Sequence, residues 1–171
     1  MWKYHGQQRP SFAQSPGAGQ ESVWDYPRPP VLVEDNRRIT IDWQGLRLLD
    51  TGFSFRVLET ASPPTFYFPP DALLEDVLRP ETGSSYCEWK GLARYWGLEH
   101  KDSVAAHVAW SYPQPKPDFT RIAGWLAFYP KDLECRIDGE RVQTQEGGFY
   151  GGWVTSDIVG PWKGQNNTGA W

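Results

Sequence analysis

The chain has 171 residues and a net charge of -4, which is enough for one domain with a substantial core. Its 17 Lys and Arg against 21 Asp and Glu argue against the basic face typical of a nucleic-acid-binding protein. No apolar run reaches the roughly 20 residues that span a bilayer, and no secretory signal is visible, so we expect a cytoplasmic protein with reduced thiols and neither a membrane nor a nucleic-acid partner.

Aromatic residues, glycine and proline are unusually frequent. The sequence contains 10 Trp, 8 Tyr and 8 Phe, together with 17 Gly and 15 Pro. Aromatic residues favour strands, whereas Gly and Pro favour turns. The composition therefore predicts a mainly-β domain with many short strands and long connections.

The start of the chain is polar and includes the linker-like run SPGAGQ. This pattern predicts a mobile leader over residues 1–21. We expect a single β domain over residues 22–164 and a frayed tail over residues 165–171.

Strand patterns begin at Val31, and Asp35–Arg37 is predicted to be a hairpin turn between the first two strands. In the run FSFRVLET, alternating apolar residues share one face and Glu59 ends that row. A carboxylate at such a position reaches the rim, finds a partner or lines a cavity.

One short helix is predicted after the proline-rich run SPPTFYFPP. Pro70 suits the first helical turn, and the charge of Asp71 suits the positive end of the helix dipole. Leu73, Leu74 and the apolar pair four residues later share one face, and Pro80 ends the pattern after about two turns.

The second half of the chain again predicts strands and turns. Ser103–Tyr112 is predicted to be a long buried strand, RIAGWLAFYP another, and Asp138-Gly139 a two-residue hairpin turn. Four glycines in positions 147–152, the glycine-rich loop, predict an irregular segment that crosses closely over aromatic rings.

Reactive side chains concentrate in the middle of the chain. Ser85–Trp96, the central segment, combines Cys87, Glu88, Lys90 and Arg94 with four aromatic residues. We interpret it as a turn that joins two halves of the β domain, with its Trp-Lys-Gly tip as one wall of a pocket.

Five runs carry a resemblance to a known family: RVLETASPPTFYFP, CEWKGLARYW, AAHVAWSYP, AGWLAFYP and GGFYGGWVTSDIVGPWKG. From about Ser22 to Lys163 they resemble the hallmark blocks of domain of unknown function family four hundred and twenty-seven, an uncharacterised bacterial and fungal family sometimes labelled nucleotidyltransferase-like. The resemblance implies a β-tent-like fold, two antiparallel sheets that lean together, and no agreed activity. The two Cys-x-x-Cys pairs that hold zinc in several β-tent relatives are absent, as is the x-D-x-D pattern of a nucleotidyltransferase.

The sequence gives little support for a metal site or for a nucleophilic cysteine. The cysteines and histidines lack zinc-ligand spacing, so we expect no metal and no cofactor, although a mixed site of Glu59, Cys87 and His107 stays open. Cys87 as a nucleophile needs a neighbour such as Lys90 or Glu59, and a buried inert thiol is the favoured interpretation. Glu59, Glu88 and Lys90 form either an acid–base set or a structural ion pair.

These patterns converge on a pocket between the two leaning sheets, with Phe128 among its aromatic walls. The predicted ligand-binding residues are Glu59, Tyr67, Cys87, Glu88, Trp89, Lys90, Trp110, Tyr112 and Tyr150. The favoured function is binding of a small molecule. The alternatives are a structural or protein-interaction module, with self-association left open, and an enzyme that uses Cys87 with Lys90 or Glu59.

Overall fold

The computed structural model describes residues 2–165, Thr168 and Trp171. In this part of the chain fifteen strands form, and helical structure is limited to the 3-10 segments Pro70–Ala72 and Pro117–Ile122. The strands are β1 (Glu21–Ser22), β2 (Val31–Asp35), β3 (Ile39–Trp43), β4 (Leu46–Thr51), β5 (Ser54–Leu58), β6 (Thr65–Tyr67), β7 (Leu78–Cys87), β8 (Gly91–His100), β9 (Ser103–Ser111), β10 (Leu126–Phe128), β11 (Glu134–Ile137), β12 (Glu140–Arg141), β13 (Gln143–Thr144), β14 (Trp153–Val154) and β15 (Ile158–Val159).

Three antiparallel sheets build the domain, which confirms the predicted mainly-β fold. The first sheet has the order β2-β5-β6, the second β10-β9-β8-β7 and the third β12-β11-β3-β4. Two further pairs, β13-β14 and the parallel β1-β15, lie at the periphery. A β-bridge between Phe68 and Leu126 connects the first sheet to the second.

The second sheet has a core on each of its faces, because successive strand side chains point to opposite sides. Leu98 and Phe128 pack with Ile39 and Ile41 of the third sheet in the larger core. On the opposite face, Trp110 of β9 and Tyr112 just after it belong to the same core as Phe55 and its neighbours on the first sheet. This second core, between the first and second sheets, surrounds the candidate site.

The predicted helix is shorter than its sequence pattern indicates. The 3-10 turn ends at Ala72, and Leu73 then forms a β-bridge with Leu49 of β4. The backbone N–H of Leu74 donates to the carbonyl of Leu48 at 2.7 Å. Pairing with β4 therefore takes the hydrogen-bonding groups that a second helical turn would need.

The predicted hairpin at Asp35–Arg37 is wrong, because β2 pairs with β5 whereas β3 pairs with β4 and β11. Asp35 is buried and binds two arginines, so the segment joins different sheets. The hairpin at Asp138-Gly139 and the turn in the central segment are confirmed, but this turn joins β7 to β8, adjacent strands of one sheet, and not two halves of the domain. The predicted strand over Ser103–Tyr112 forms, but its first half is exposed rather than buried.

Aromatic contacts attach the first residues to the end of the chain. The rings of Tyr4 and Phe12 lie 5.2 Å from that of Trp24, both edge-on, and Trp171 stacks on Phe12 at 5.0 Å. The mobility of residues 1–21 stays a prediction, and most of the predicted tail, residues 165–171, lies outside the described residues. No helix in the described part of the chain is long and apolar enough to cross a membrane.

A network of charged side chains fastens β1 and β2 to β5. Arg56 donates to both carboxylate oxygens of Glu21 at 3.1 Å, and its Nε lies 3.2 Å from Asp35 Oδ2. Arg37 also binds Asp35 and reaches Asp157 at 2.8 Å. These contacts, the arginine network, hold the strand that carries Val57 and Glu59 toward the candidate site.

Acidification should weaken this network. Burial disfavours the charged forms of Glu21 and Asp35, but hydrogen bonds from the arginines outweigh it, so both pKa values lie below their ordinary 4.5 and 3.8. When the pKa of a carboxyl group is lower in the folded than in the unfolded chain, its charged form stabilises the fold at every pH above the unfolded pKa. This stabilisation is lost as the pH falls through the folded pKa. Melting temperatures should therefore stay level from about pH 7 to about pH 5 and fall below about pH 4. A Tm that is level down to pH 3 would contradict this.

Candidate functional site

A cavity of about 350 Å³ lies where the first and second sheets meet, and we call it the aromatic cavity. Side chains from β5 to β9, the turn after β7 and the glycine-rich loop surround it. The nine residues predicted as a ligand site all line this one cavity: Glu59, Tyr67, Cys87, Glu88, Trp89, Lys90, Trp110, Tyr112 and Tyr150. Their role in binding stays a prediction.

Trp110 is the central ring of the cavity wall. Its indole Nε1 donates to the hydroxyl of Tyr67 at 3.1 Å, and the two rings meet edge-on. The ring of Tyr129 packs against it with 4.6 Å between centroids. Burial raises the pKa of Tyr67, so its hydroxyl stays protonated and polar at neutral pH.

Lys90 brings a positive charge into this wall. The residue is only 8% exposed, and Nζ lies 5.7 Å from the ring centres of both Tyr112 and Phe119. None of the ion pairs among the described residues includes it. Burial disfavours the ammonium, but neighbouring groups, Glu59 among them, outweigh this effect, and the pKa of Lys90 is raised. Lys90 is therefore a charged, buried donor beside the cavity.

The two carboxylates predicted to accompany Lys90 have other environments. Glu59 Oε1 lies 3.4 Å from Nε of Arg28, whose side chain is almost fully buried and donates to the carbonyl of Thr60. Glu88 is exposed. The predicted ionic set of Glu59, Glu88 and Lys90 therefore does not form as direct ion pairs, because Arg28 neutralises Glu59 instead.

The glycine-rich loop covers one side of the cavity. Gly151 lies so close to Trp110 that an added Cβ would overlap the indole ring, and the amide of Gly152 donates to Gln145 Oε1 at 3.1 Å. Within the loop, Tyr150 is half-buried, whereas Phe149 is exposed. The predicted close crossing over an aromatic ring is confirmed.

Substitution of Gly151 by alanine should displace this loop. The new methyl group overlaps Trp110, so we expect the free energy of unfolding to fall by about 1–3 kcal/mol. Gly52→Ala is the matched control, because a Cβ there meets nothing within 4 Å. Urea unfolding of both variants checks the prediction, and equal effects at the two positions would contradict it.

Further residues line the cavity that the sequence patterns do not identify. The ring of Trp2 lies 4.3 Å from the guanidinium of Arg28 and 4.9 Å from Lys163 Nζ. Burial, and then the charge of Arg28, lowers the pKa of Lys163. Trp2 and Lys163 come from opposite ends of the chain, so no local spacing could indicate that they meet. Tyr95 and Tyr129 also face the cavity.

One predicted wall residue lies elsewhere. Phe128 is fully buried in the larger core, on the face of the second sheet that is turned away from the cavity. Its neighbour Ala127 belongs to the core beside the cavity instead. The prediction was wrong because the side chains of β10 alternate between the two cores, and the sequence shows aromatic character without showing which core receives it.

The proposed mixed metal site of Glu59, Cys87 and His107 does not assemble. Among the described residues, no three His, Cys, Asp or Glu side chains are close enough to hold a metal ion. His107 is exposed and stacks between Tyr95 and Tyr129, at 4.5 and 5.2 Å between ring centroids. Cys87 is a half-buried free thiol, and its use in catalysis stays a prediction.

Fold and site together define a mainly-β domain with an aromatic-walled cavity. A family model described as Domain of unknown function (DUF427) matches residues 31–143, more than half of the chain, and the chain therefore belongs to this family. The model carries a nucleotidyltransferase label, but no x-D-x-D pattern is present in the sequence. No curated protein matches the chain. The glycine-rich loop, Trp2 and Lys163 lie outside the matched residues, so part of the cavity comes from segments beyond them.

Proposed function

We propose that this domain binds a small organic molecule in the aromatic cavity. The observation that carries the proposal is Lys90, a buried ammonium with no ion-pair partner among the described residues, at the wall of a 350 Å³ space. Buried charged groups concentrate at functional sites, where a bound molecule interacts with them directly.

The dimensions and composition of the cavity support the same function. Small-molecule sites commonly enclose roughly 300–1,000 Å³, with aromatic walls and a few polar groups that orient the ligand. Here Trp89, Trp110 and several tyrosines supply the walls, while Lys90 and the hydroxyl of Tyr67 supply the polar groups. The glycine-rich loop limits access of water from one side.

The test is ligand-observed NMR with three single-ring probes of the same shape: benzoate, benzamide and benzylamine. We expect saturation transfer from the protein to at least one of them. Ser62→Trp, which places a large ring in the cavity wall, should abolish the signal. Ser84→Trp makes the same change at an exposed position of β7, outside the cavity, and should leave the signal intact. Absence of transfer to all three probes, or equal effects of the two variants, would overturn the proposal.

A second function, protein interaction, has one supporting observation. Tyr86 and Leu92 face each other across β7 and β8, and their side chains are 67% and 45% exposed. Adjacent exposed apolar side chains are typical of contact surfaces when they form part of a larger patch. Sedimentation velocity over a range of concentrations tests self-association through this surface, and Leu92→Lys should shift any dimer to monomer.

A further inference from the structure

We infer that the ligand of the aromatic cavity is a planar organic anion, such as an aromatic carboxylate, whose negative group binds Lys90 and whose ring lies against the aromatic wall. This inference rests on the proposed function and adds the chemical class of the ligand.

The aromatic wall already holds a cation of its own. Rings such as Tyr112 and Phe119 attract ammonium groups to their faces, and cages of this kind bind quaternary amines in other proteins. Here Lys90 Nζ occupies that position, 5.7 Å from the ring centre of Tyr112, which lines the cavity, and 5.7 Å from that of Phe119 in the adjacent core. A cationic ligand would therefore meet a like charge in a partly dry space, where repulsion is stronger than in water.

The other charges around the cavity balance, Lys163 and Arg28 against Glu59 and Glu88, so the net positive charge is that of Lys90. Lys163 lines the cavity and is half-buried, and Arg28 lies close enough to disfavour its charge. Of the two carboxylates on the wall, Glu59 is paired with Arg28 and Glu88 is exposed to solvent. An anion that enters the cavity gains the attraction of Lys90 and Lys163 without a buried, unpaired carboxylate opposing it.

The chain itself shows that a flat ring fits against these cations. The indole of Trp2 lies at the cavity, 4.3 Å from the guanidinium of Arg28 and 4.9 Å from the ammonium of Lys163. The rings of Trp110 and Tyr129 also line the cavity, and they pack at 4.6 Å with 50° between their planes. Offset or edge-on contacts with such surfaces favour an aromatic ligand over an aliphatic one of the same charge.

The test compares the dissociation constants of benzoate, benzamide and benzylamine, measured by NMR titration of the full chain at low salt. These probes differ in charge and little in shape. We expect benzoate to bind about tenfold or more tightly than benzylamine, with benzamide between them, because hydrogen bonds to charged groups are stronger than neutral ones. Cyclohexanecarboxylate, an anion without a flat ring, should bind more weakly than benzoate.

Lys90→Met identifies the cation responsible. It should weaken benzoate about tenfold and change benzamide by less than about twofold, since only the charged contact disappears. Lys131→Met makes the same substitution at an exposed position outside the cavity and should change neither probe. If circular dichroism shows that Lys90→Met does not fold, the order of the probes' dissociation constants on the unmodified chain still tests whether the site prefers an anion.

The outcomes separate the two proposals. Failure of all the probes to bind overturns both the proposed function and this inference. Binding with benzamide or benzylamine equal to or tighter than benzoate retains a small-molecule site and overturns the anionic ligand. Selective binding of benzoate that Lys90→Met does not weaken also overturns the inference, because the charge would then be recognised elsewhere.

Discussion

Replacement of Trp110 by alanine is expected to lower the free energy of unfolding by about 3–5 kcal/mol, the range for removal of a buried large aromatic side chain. The residue is 7% exposed and packs against Tyr67, Tyr129 and the glycine-rich loop. Its loss also removes the donor that binds the buried hydroxyl of Tyr67. The same variant should abolish binding of every single-ring probe, because the central wall of the cavity disappears.

Phe149→Ala is the control for this experiment. Phe149 lines the same cavity but is 74% exposed, so its removal should change stability by less than about 0.5 kcal/mol. Chemical denaturation of both variants, followed by circular dichroism, gives the comparison. A loss below about 1 kcal/mol for Trp110→Ala would show that the ring is not an integral part of the core.

Arg56→Met should also be damaging, with an expected loss of about 1.5–3 kcal/mol from its hydrogen bonds to a carboxylate. Arg56 binds Glu21 through two hydrogen bonds and lies 3.2 Å from Asp35, and its side chain is 10% exposed. Methionine keeps much of the apolar volume but leaves the carboxylate of Asp35, which is almost fully buried, with Arg37 as its main partner. Asp35 stays paired with Arg37, so the expected loss comes mainly from the two hydrogen bonds to Glu21.

Arg38→Met is the matched control, since Arg38 forms the same kind of pair with Asp50 at 2.7 Å on the surface. Exposed ion pairs contribute roughly 0–1 kcal/mol, so this variant should be close to the unmodified chain. Arg56→Met should also flatten the fall of Tm at low pH, because Glu21 then loses the partner that lowers its pKa. If Arg56→Met shows the same fall of Tm at low pH as the unmodified chain, carboxylates other than Glu21 cause that fall.

Short-range sequence patterns are sufficient to predict many of the strands and turns. Alternation in FSFRVLET and the Asp138-Gly139 turn correspond to observed strands and an observed hairpin. The same kind of pattern fails for the segment after Pro70, where apolar spacing indicates a helix and the backbone pairs with β4 instead. The helical spacing includes Leu73 and Val77, which are buried, but also Leu74, which is 39% exposed. It does not report which distant strand offers hydrogen bonds to the backbone.

Some of the cavity residues could be predicted from short-range patterns, and others could not. Residues of the central segment and the rings of β6 and β9 could be selected because carboxylate, amine, thiol and aromatic groups recur at predicted strand ends. Trp2 and Lys163 could not, since they meet only after both ends of the chain return to the first sheet. Phe128 was assigned to the wrong core, because alternation leaves open which of two cores a face meets.

The sequence by itself determined that this chain is mainly β, that glycines let a loop cross an aromatic ring, and which reactive side chains gather near the turn after β7. These properties depend on neighbours within a few residues, through strand alternation and the backbone freedom of glycine. Only the tertiary structure decided that Arg28 pairs with Glu59 and that Lys90 is a buried cation in no direct ion pair with a described residue. Charge pairing depends on distances between segments far apart in the chain, and burial sets the strength of each interaction.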